Sequence, residues 1–321
     1  TAFHACVTLA EKKVPLEMGS TTRQMSLDIG VALHQDVKSN GLTSNVFVNT
    51  ALLTLYWKCG KLLEAEGVFN KLSQRSIVSW TAMLSAYVEH DQHAKALCLY
   101  QKMRQELVTM DDVTLVCVLQ ACSETGNLEI TKHLHFIITL AGECGQKNSL
   151  PATLVHAYSS CASMDNARNL FDGLIQPDVV SWGACIAGYA AKGNFTASLG
   201  MFATMEQEGI RPNEILFASV LSACSHSGLV CEALGYFNSM VGDYSISRSM
   251  KHYINMVDLF GRVGDFERLE NMLKNMPMQA DITIWLCVLG MCHRHGQVQL
   301  AKMAFDNAVS LQPRESVAYI L

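Results

Sequence analysis

The chain predicts an all-α fold, a right-handed α-solenoid of stacked helix–turn–helix repeats. Three observations carry that expectation. A single shift of 102 residues superimposes three separate segments. Within each segment apolar residues recur at the helical period of 3.6. A turn residue, most often glycine, separates consecutive apolar stripes.

The shift comes first because internal repetition dictates architecture. IVSWTAMLSAYV at 77–88 becomes VVSWGACIAGYA at 179–190. The same shift carries VTLVCVLQACSETG (113–126) onto ILFASVLSACSHSG (215–228), and TALLTLYWKCGKLLEAEGVF (50–69) onto ATLVHAYSSCASMDNARNLF (152–171). ITIW at 282–285 lies 103 residues beyond VVSW. Three sub-repeats fill one block: 46–76, 77–111 and 112–147. The next round is 148–178, 179–213 and 214–249, followed by 250–281 and a last unit from 282. Residues 1–45 read as an earlier unit carrying a polar insertion around Glu11–Gln24.

Each sub-repeat reads as two helices. In 77–111, Trp80, Leu84 and Tyr87 form one stripe, and Ala96, Leu99, Tyr100 and Met103 form the second. In 179–213 the counterparts are Trp182, Ile186 and Tyr189, then Met201, Phe202 and Met205. Gly60, Asp91, Gly126, Gly193, Gly228, Gly264 and Gly296 stand between the stripes. Glycine accepts the positive φ that ends a helix. One helix pair cannot bury its own apolar face, so neighbouring pairs must stack. Trp80, Trp182 and Trp285 share one repeat position and are expected to act as knobs between repeats.

Composition narrows the function. Half of the 321 residues are hydrophobic and 17% are charged, which excludes a disordered chain. The net charge of −5 provides no global attraction for a polyanion. The 12 cysteines show no C-x-x-C pair and read as reduced, small core residues. The apolar run at Trp182–Ala191 is far too short for a membrane span. No targeting segment is visible, and the absence of an initial Met reads as a piece of something longer. Cys287, Cys292, His293 and His295 imitate a metal cluster, but their spacing matches no closed zinc pattern. No cofactor site is expected.

The sub-repeats alternate in length, 46–76 being the shortest and 112–147 the longest. A tetratricopeptide array instead holds a steady period of about 34. VVSWGACIAGYAAKGNFTASLGMFATMEQEGIRPN and ILFASVLSACSHSGLVCEALGYFNSM resemble the P and L motifs of plant PLS-class pentatricopeptide repeat proteins. VFVNTALLTLYWKCGKLLEAEGVFNKL resembles the S motif, and residues 250–281 that class's terminal S motif. Residues 282–315 resemble its E motif, 316–321 the start of a second, and 1–45 an L-type repeat with an insertion. The resemblance implies a sequence-specific binder of single-stranded RNA in mitochondria or chloroplasts, the mitochondrion being preferred. It implies specification of cytidine-to-uridine editing sites, with a deaminase or other editing factor recruited in trans through the E motif. Such zinc deaminases need an H-x-E and a P-C-x-x-C. Neither occurs in this chain, so it reads as a recognition module and not an enzyme.

In the family, the fifth and last residues of a repeat select a base and the second, usually apolar, sandwiches it. Carried over, repeat 77–111 offers Thr81 and Asp111 with Val78, a pair resembling the guanine code. Asp111 only accepts hydrogen bonds, while the Thr81 hydroxyl both donates and accepts. Repeat 179–213 offers Gly183 and Asn213 with Val180, where the glycine departs from the code. Repeat 46–76 offers Thr50 and Ser76 with Phe47, and repeat 148–178 offers Ala152 and Asp178. Val116 and Ala218 occupy the reading position of 112–147 and 214–249, and these two repeats are expected mainly to hold spacing. The same Thr and Asp residues also read as helix N-caps, a duty compatible with base reading. A protein-binding helical scaffold is the competing reading, and the acidic balance favours it.

Overall fold

The computed structural model describes residues 16–41, 45–72, 74–140 and 150–312, with side chains from Gln24 onward. Seventeen helices and no strand occur among the described residues. The chain divides into two compact units, residues 1–157 and 158–321.

In the first unit, α1 (Leu16–Ser39) is followed by three helix pairs. These are α2 (Val46–Lys58) with α3 (Leu62–Asn70), α4 (Ile77–Glu89) with α5 (His93–Gln105), and α6 (Asp112–Thr125) with α7 (Leu128–Leu140). Helix α1 continues through Leu16–Gln24, so the described part of the polar insertion is helical. Helix α8 (Leu150–Ser160) straddles the division. The second unit holds α9 (Met164–Asp172), α10 (Val179–Ala191) with α11 (Phe195–Gln207), and α12 (Glu214–Ser227) with α13 (Val230–Gly242). It ends with α14 (Met250–Val263) paired with α15 (Phe266–Asn275), and α16 (Ile282–His295) with α17 (Val298–Leu311).

Within each unit the first helices of successive pairs stack side by side: α2, α4 and α6 in one, α10, α12, α14 and α16 in the other. Second helices α3, α5, α11 and α13 pack against their own first helix and the next one. The stripes are buried as expected except at Tyr87 and Tyr189, which are half-buried. Trp80, Met83, Leu84, Ala96, Tyr100 and Met103 have no exposed surface, and neither do Ile186, Phe202 and Met205. Burial of such side chains, each worth about 1.5–3 kcal/mol, drives the stacking. Trp80 meets the Phe69 ring edge-on at 5.1 Å, and Trp182 meets Phe171 at 4.7 Å. Both are the expected knobs. Trp285 is only half-buried, and the position that carries Phe69 and Phe171 carries Leu273 in its neighbour.

Helix starts and stops explain the register. Asn45, Ser76, Asp111, Asp178, Asn213 and Asp281 are each the N-cap of a first helix. Each accepts from backbone N–H groups of the first turn, which would otherwise lack a partner. All seven turn residues named from the sequence have positive φ. Ala162 (φ 55°) does the same duty in 148–178 and was not foreseen, although the 102-residue shift sets it on Gly60. Half of the ten described cysteines are buried, while Cys98 and Cys231 are exposed. No described helix is long and apolar enough to cross a membrane.

Candidate nucleic-acid interface

The N-cap and the fifth residue of a repeat converge through a third side chain. Asp111 Oδ1 accepts from Thr114 N–H at 2.8 Å and from the Thr114 hydroxyl at 2.6 Å. Thr114 Oγ1 also lies 2.7 Å from Thr81 Oγ1. Thr114 has one hydroxyl hydrogen, and the carboxylate holds it. Thr81 must therefore donate to Thr114. Asp111 Oδ2 and the Thr81 lone pairs are left as two neighbouring acceptors on the surface of the first-helix layer.

The other pairs follow the same plan incompletely. Asn213 Oδ1 accepts from Leu216 N–H at 2.9 Å, and a Cβ at Gly183 would sit 3.7 Å from Leu216 Cγ. The pair is thus gathered around Leu216, but Gly183 presents no functional group. Ser76 caps Ser79 at 3.3 Å, and the Thr50 hydroxyl donates to its own helix at the Val46 carbonyl, 2.8 Å away. Asp178 caps α10 through Ser181 N–H and hydroxyl at 2.8 and 2.6 Å. Ala152 belongs to the first unit and Asp178 to the second.

Within each unit, exposed apolar residues stand beside these pairs. The second residues Phe47, Val78, Val113, Val180 and Ile215 are 88%, 60%, 56%, 54% and 75% exposed. Exposed aliphatic or aromatic groups repeated at the same point of five helices mark an interaction surface. Val113 and Ile215 carry no signal of their own in the sequence, because the reading position of their repeats is apolar. The register already contained them. At the following repeats the position turns polar, with Lys251 and Thr283, both exposed.

Further along the first helices the two units differ in charge. Lys58 pairs with Glu89 at 3.3 Å, and Glu124 follows in the first unit. Ser160, Ala191, His226, Arg262 and Arg294 hold the corresponding positions of the second. Asp258 lies among them, its Oδ2 accepting from Ser225 Oγ and Arg262 Nε, both at 2.6 Å. Burial, reinforced by the Asp258 carboxylate, pushes the Cys287 thiol up to about 12, and burial pushes Cys292 up to about 11. Cys292 is buried while His293 and His295 are exposed. Among the described residues no three metal-ligating side chains gather into a metal site.

Family models match along both units. A PPR repeat family model matches residues 75–124, a pentatricopeptide repeat domain model residues 168–227, and a PPR repeat model residues 50–77 and 215–244. The chain is a pentatricopeptide repeat protein. A chloroplastic pentatricopeptide repeat-containing protein of Arabidopsis thaliana is 33% identical over 298 residues, covering 92% of this chain and 40% of the relative. A mitochondrial one from the same plant is 30% identical over 310 residues, covering 96% and 66%. The chain thus spans less than half of several relatives it matches. The crystal structure of the pentatricopeptide repeat protein PPR10 in complex with an 18-nt psaJ RNA element superposes with a TM-score of 0.77 at 17% identity. The match covers 97% of this chain and 46% of that one. PPR10 from maize superposes with a TM-score of 0.70 at 18% identity, covering 97% and 44%. These likenesses establish the right-handed α-solenoid expected from the sequence.

Proposed function

We propose that this pentatricopeptide repeat protein is a recognition module that binds single-stranded RNA, one base per repeat, in organellar RNA processing. The observation that carries the reading is the Thr81–Thr114–Asp111 chain of hydrogen bonds, flanked by exposed Val78 and Val113. First helices packed about 8–10 Å apart leave room for one flat ring between aliphatic side chains of neighbouring repeats. The two acceptors match the N1–H and N2–H donors of guanine. Uracil would set its carbonyls against one of them. Splayed single-stranded bases read on this edge are the usual target of sequence-specific RNA recognition.

The repeat boundaries 46–76 through 282–315 define the reading frame. By the same reasoning Thr50/Ser76 with Phe47, Gly183/Asn213 with Val180, and Ala152/Asp178 are weaker readers. The names of the Arabidopsis relatives, chloroplastic and mitochondrial, support an organellar location. Specification of cytidine-to-uridine editing sites, with a deaminase recruited in trans through residues 282–315, is the finer form of this proposal. The net charge of −5 favours the alternative of a protein-binding scaffold.

The purified chain is incubated with a pool of random single-stranded RNAs and the bound fraction sequenced, with Thr81→Ala/Asp111→Ala alongside. The expected result is a motif with guanine at one position, lost in the double variant, and an affinity that falls with salt. No enrichment at low salt would overturn RNA recognition and leave the scaffold standing.

A further inference from the structure

A cavity of about 820 Å³ opens on the first-helix layer of the second unit. It begins at the reading position of repeat 214–249, Ala218 and Ser249, between Ile215 and Lys251, with the exposed Glu214 carboxylate at the same end. From there it runs along α10 and α12 to Phe195 and His226. Small side chains at Ala187, Ala191, Ala218 and Ser222 give it depth. At its far end the Phe195 and His226 rings lie near-parallel, 29° apart with centroids at 6.0 Å. His226 is held in place by Nδ1, 2.8 Å from the Ser222 carbonyl. A carbonyl only accepts, so Nδ1 carries the hydrogen, and Nε2 of the neutral ring is an acceptor.

We propose that this cavity takes one unpaired purine base of the bound RNA, stacked against the Phe195–His226 ledge. The inference rests on the RNA-binding reading above and adds a second mode to it. Repeat 214–249 has no side chain that reads an edge, but stacking asks nothing of the edge, because every base has a π-face. A bicyclic purine offers the larger face and fits a cavity this wide. Lys251 at the rim supplies a cation for the backbone phosphate.

The first unit provides an internal comparison. The 102-residue shift places Ser85, Glu89, His93, Gln120 and Glu124 where Ala187, Ala191, Phe195, Ser222 and His226 stand. Glu124 stands there in place of His226, Glu89 is paired with Lys58 at 3.3 Å, and glutamine replaces the small Ser222. The aromatic pair at the far end, Phe195 with His226, is therefore particular to this copy, the other carrying His93 and Glu124.

The test is an abasic scan. The RNA enriched from the random pool is remade with a single abasic nucleotide at each position in turn. Its affinity is then measured for the wild type, Phe195→Ala/His226→Ala and Ala187→Leu. Ala187→Leu fills the cavity floor at an exposed helical position without removing a contact. In the wild type one purine position is expected to lose about five- to thirty-fold on removal of its base. In both variants that same removal should cost nothing further, the signature of a coupled pair in a double-mutant cycle. Identical scans in all three proteins, or losses spread evenly over every position, would overturn the inference while leaving edge reading at Thr81 and Asp111 intact. A pool with no enriched RNA would overturn both.

Discussion

Replacing Asp111 by asparagine separates the two duties of one side chain. Asp111 Oδ1 holds the α6 start through two bonds to Thr114, and Oδ2 faces outward. An asparagine oxygen accepts both cap bonds equally well, and Asn213 already makes the backbone one for α12 at 2.9 Å. Asp and Asn are near-equal caps, so the loss is confined to the carboxylate–dipole attraction, about 0.3–1 kcal/mol. The outward acceptor, however, becomes an N–H donor. Guanine then meets a donor against its own donor. It loses a charge-assisted bond worth about 1.5–3 kcal/mol, roughly ten- to over a hundred-fold in affinity. Adenine gains, because its N1 accepts from the new amide and its N6 amine donates to the Thr81 lone pairs. Fluorescence anisotropy with four RNAs differing at one position reads the change, and a urea melt reads the cap. If Asp111→Asn weakened all four RNAs equally, or changed none while the fold stayed intact, Asp111 would be a cap and nothing more.

Three further outcomes follow from the packing. Ala162 holds a φ of 55°. Left-handed backbone costs an L-residue roughly 1 kcal/mol or somewhat more. Ala162→Gly should therefore raise unfolding stability by about 1 kcal/mol in a urea titration. Gly261→Ala would set a Cβ 2.9 Å from Met291 Cβ and against Met291 Cγ, near the root of that side chain. The variant should lose about 1–3 kcal/mol by the same assay as α14 and α16 are forced apart. Burial raises the thiols of Cys185, Cys224 and Cys287 to about 12. Raised folded-state values give stability that is complete below the ordinary thiol range near 8.5 and is lost as pH rises toward 12. Thermal melts should therefore fall progressively above pH 9, and iodoacetamide at pH 8 should label Cys98 and Cys231 before those three.

Periodicity and punctuation made the helix pairs legible. Glycine marks a turn by its own chemistry, so Gly60, Gly193 and Gly264 declared themselves. Ala162 did not, because alanine is a helix former held at positive φ only by its neighbours. Asp111 and Thr81 could be paired by register alone, but the direction of their hydrogen bonds could not. Those depend on Thr114, 33 residues beyond Thr81, arriving from the next helix. The cavity beside His226 was hidden for a related reason. Its emptiness is the sum of small residues on separate helices, each unremarkable in its own segment. Val113 and Ile215 stood in register from the start, but an apolar residue three positions later in each repeat masked them.

The N-cap position has a consequence for how such a protein changes its target over generations. The side chains that start a helix well are few: Asp, Asn, Ser and Thr. They are also the short polar groups that differ in what they offer a base: two acceptors, an acceptor and a donor, or a hydroxyl. A lineage can exchange one for another at residues 76, 111, 178 or 213 and remain folded throughout. On the proposed reading, in which these caps also select bases, specificity can drift across generations along a path that is nearly flat in stability.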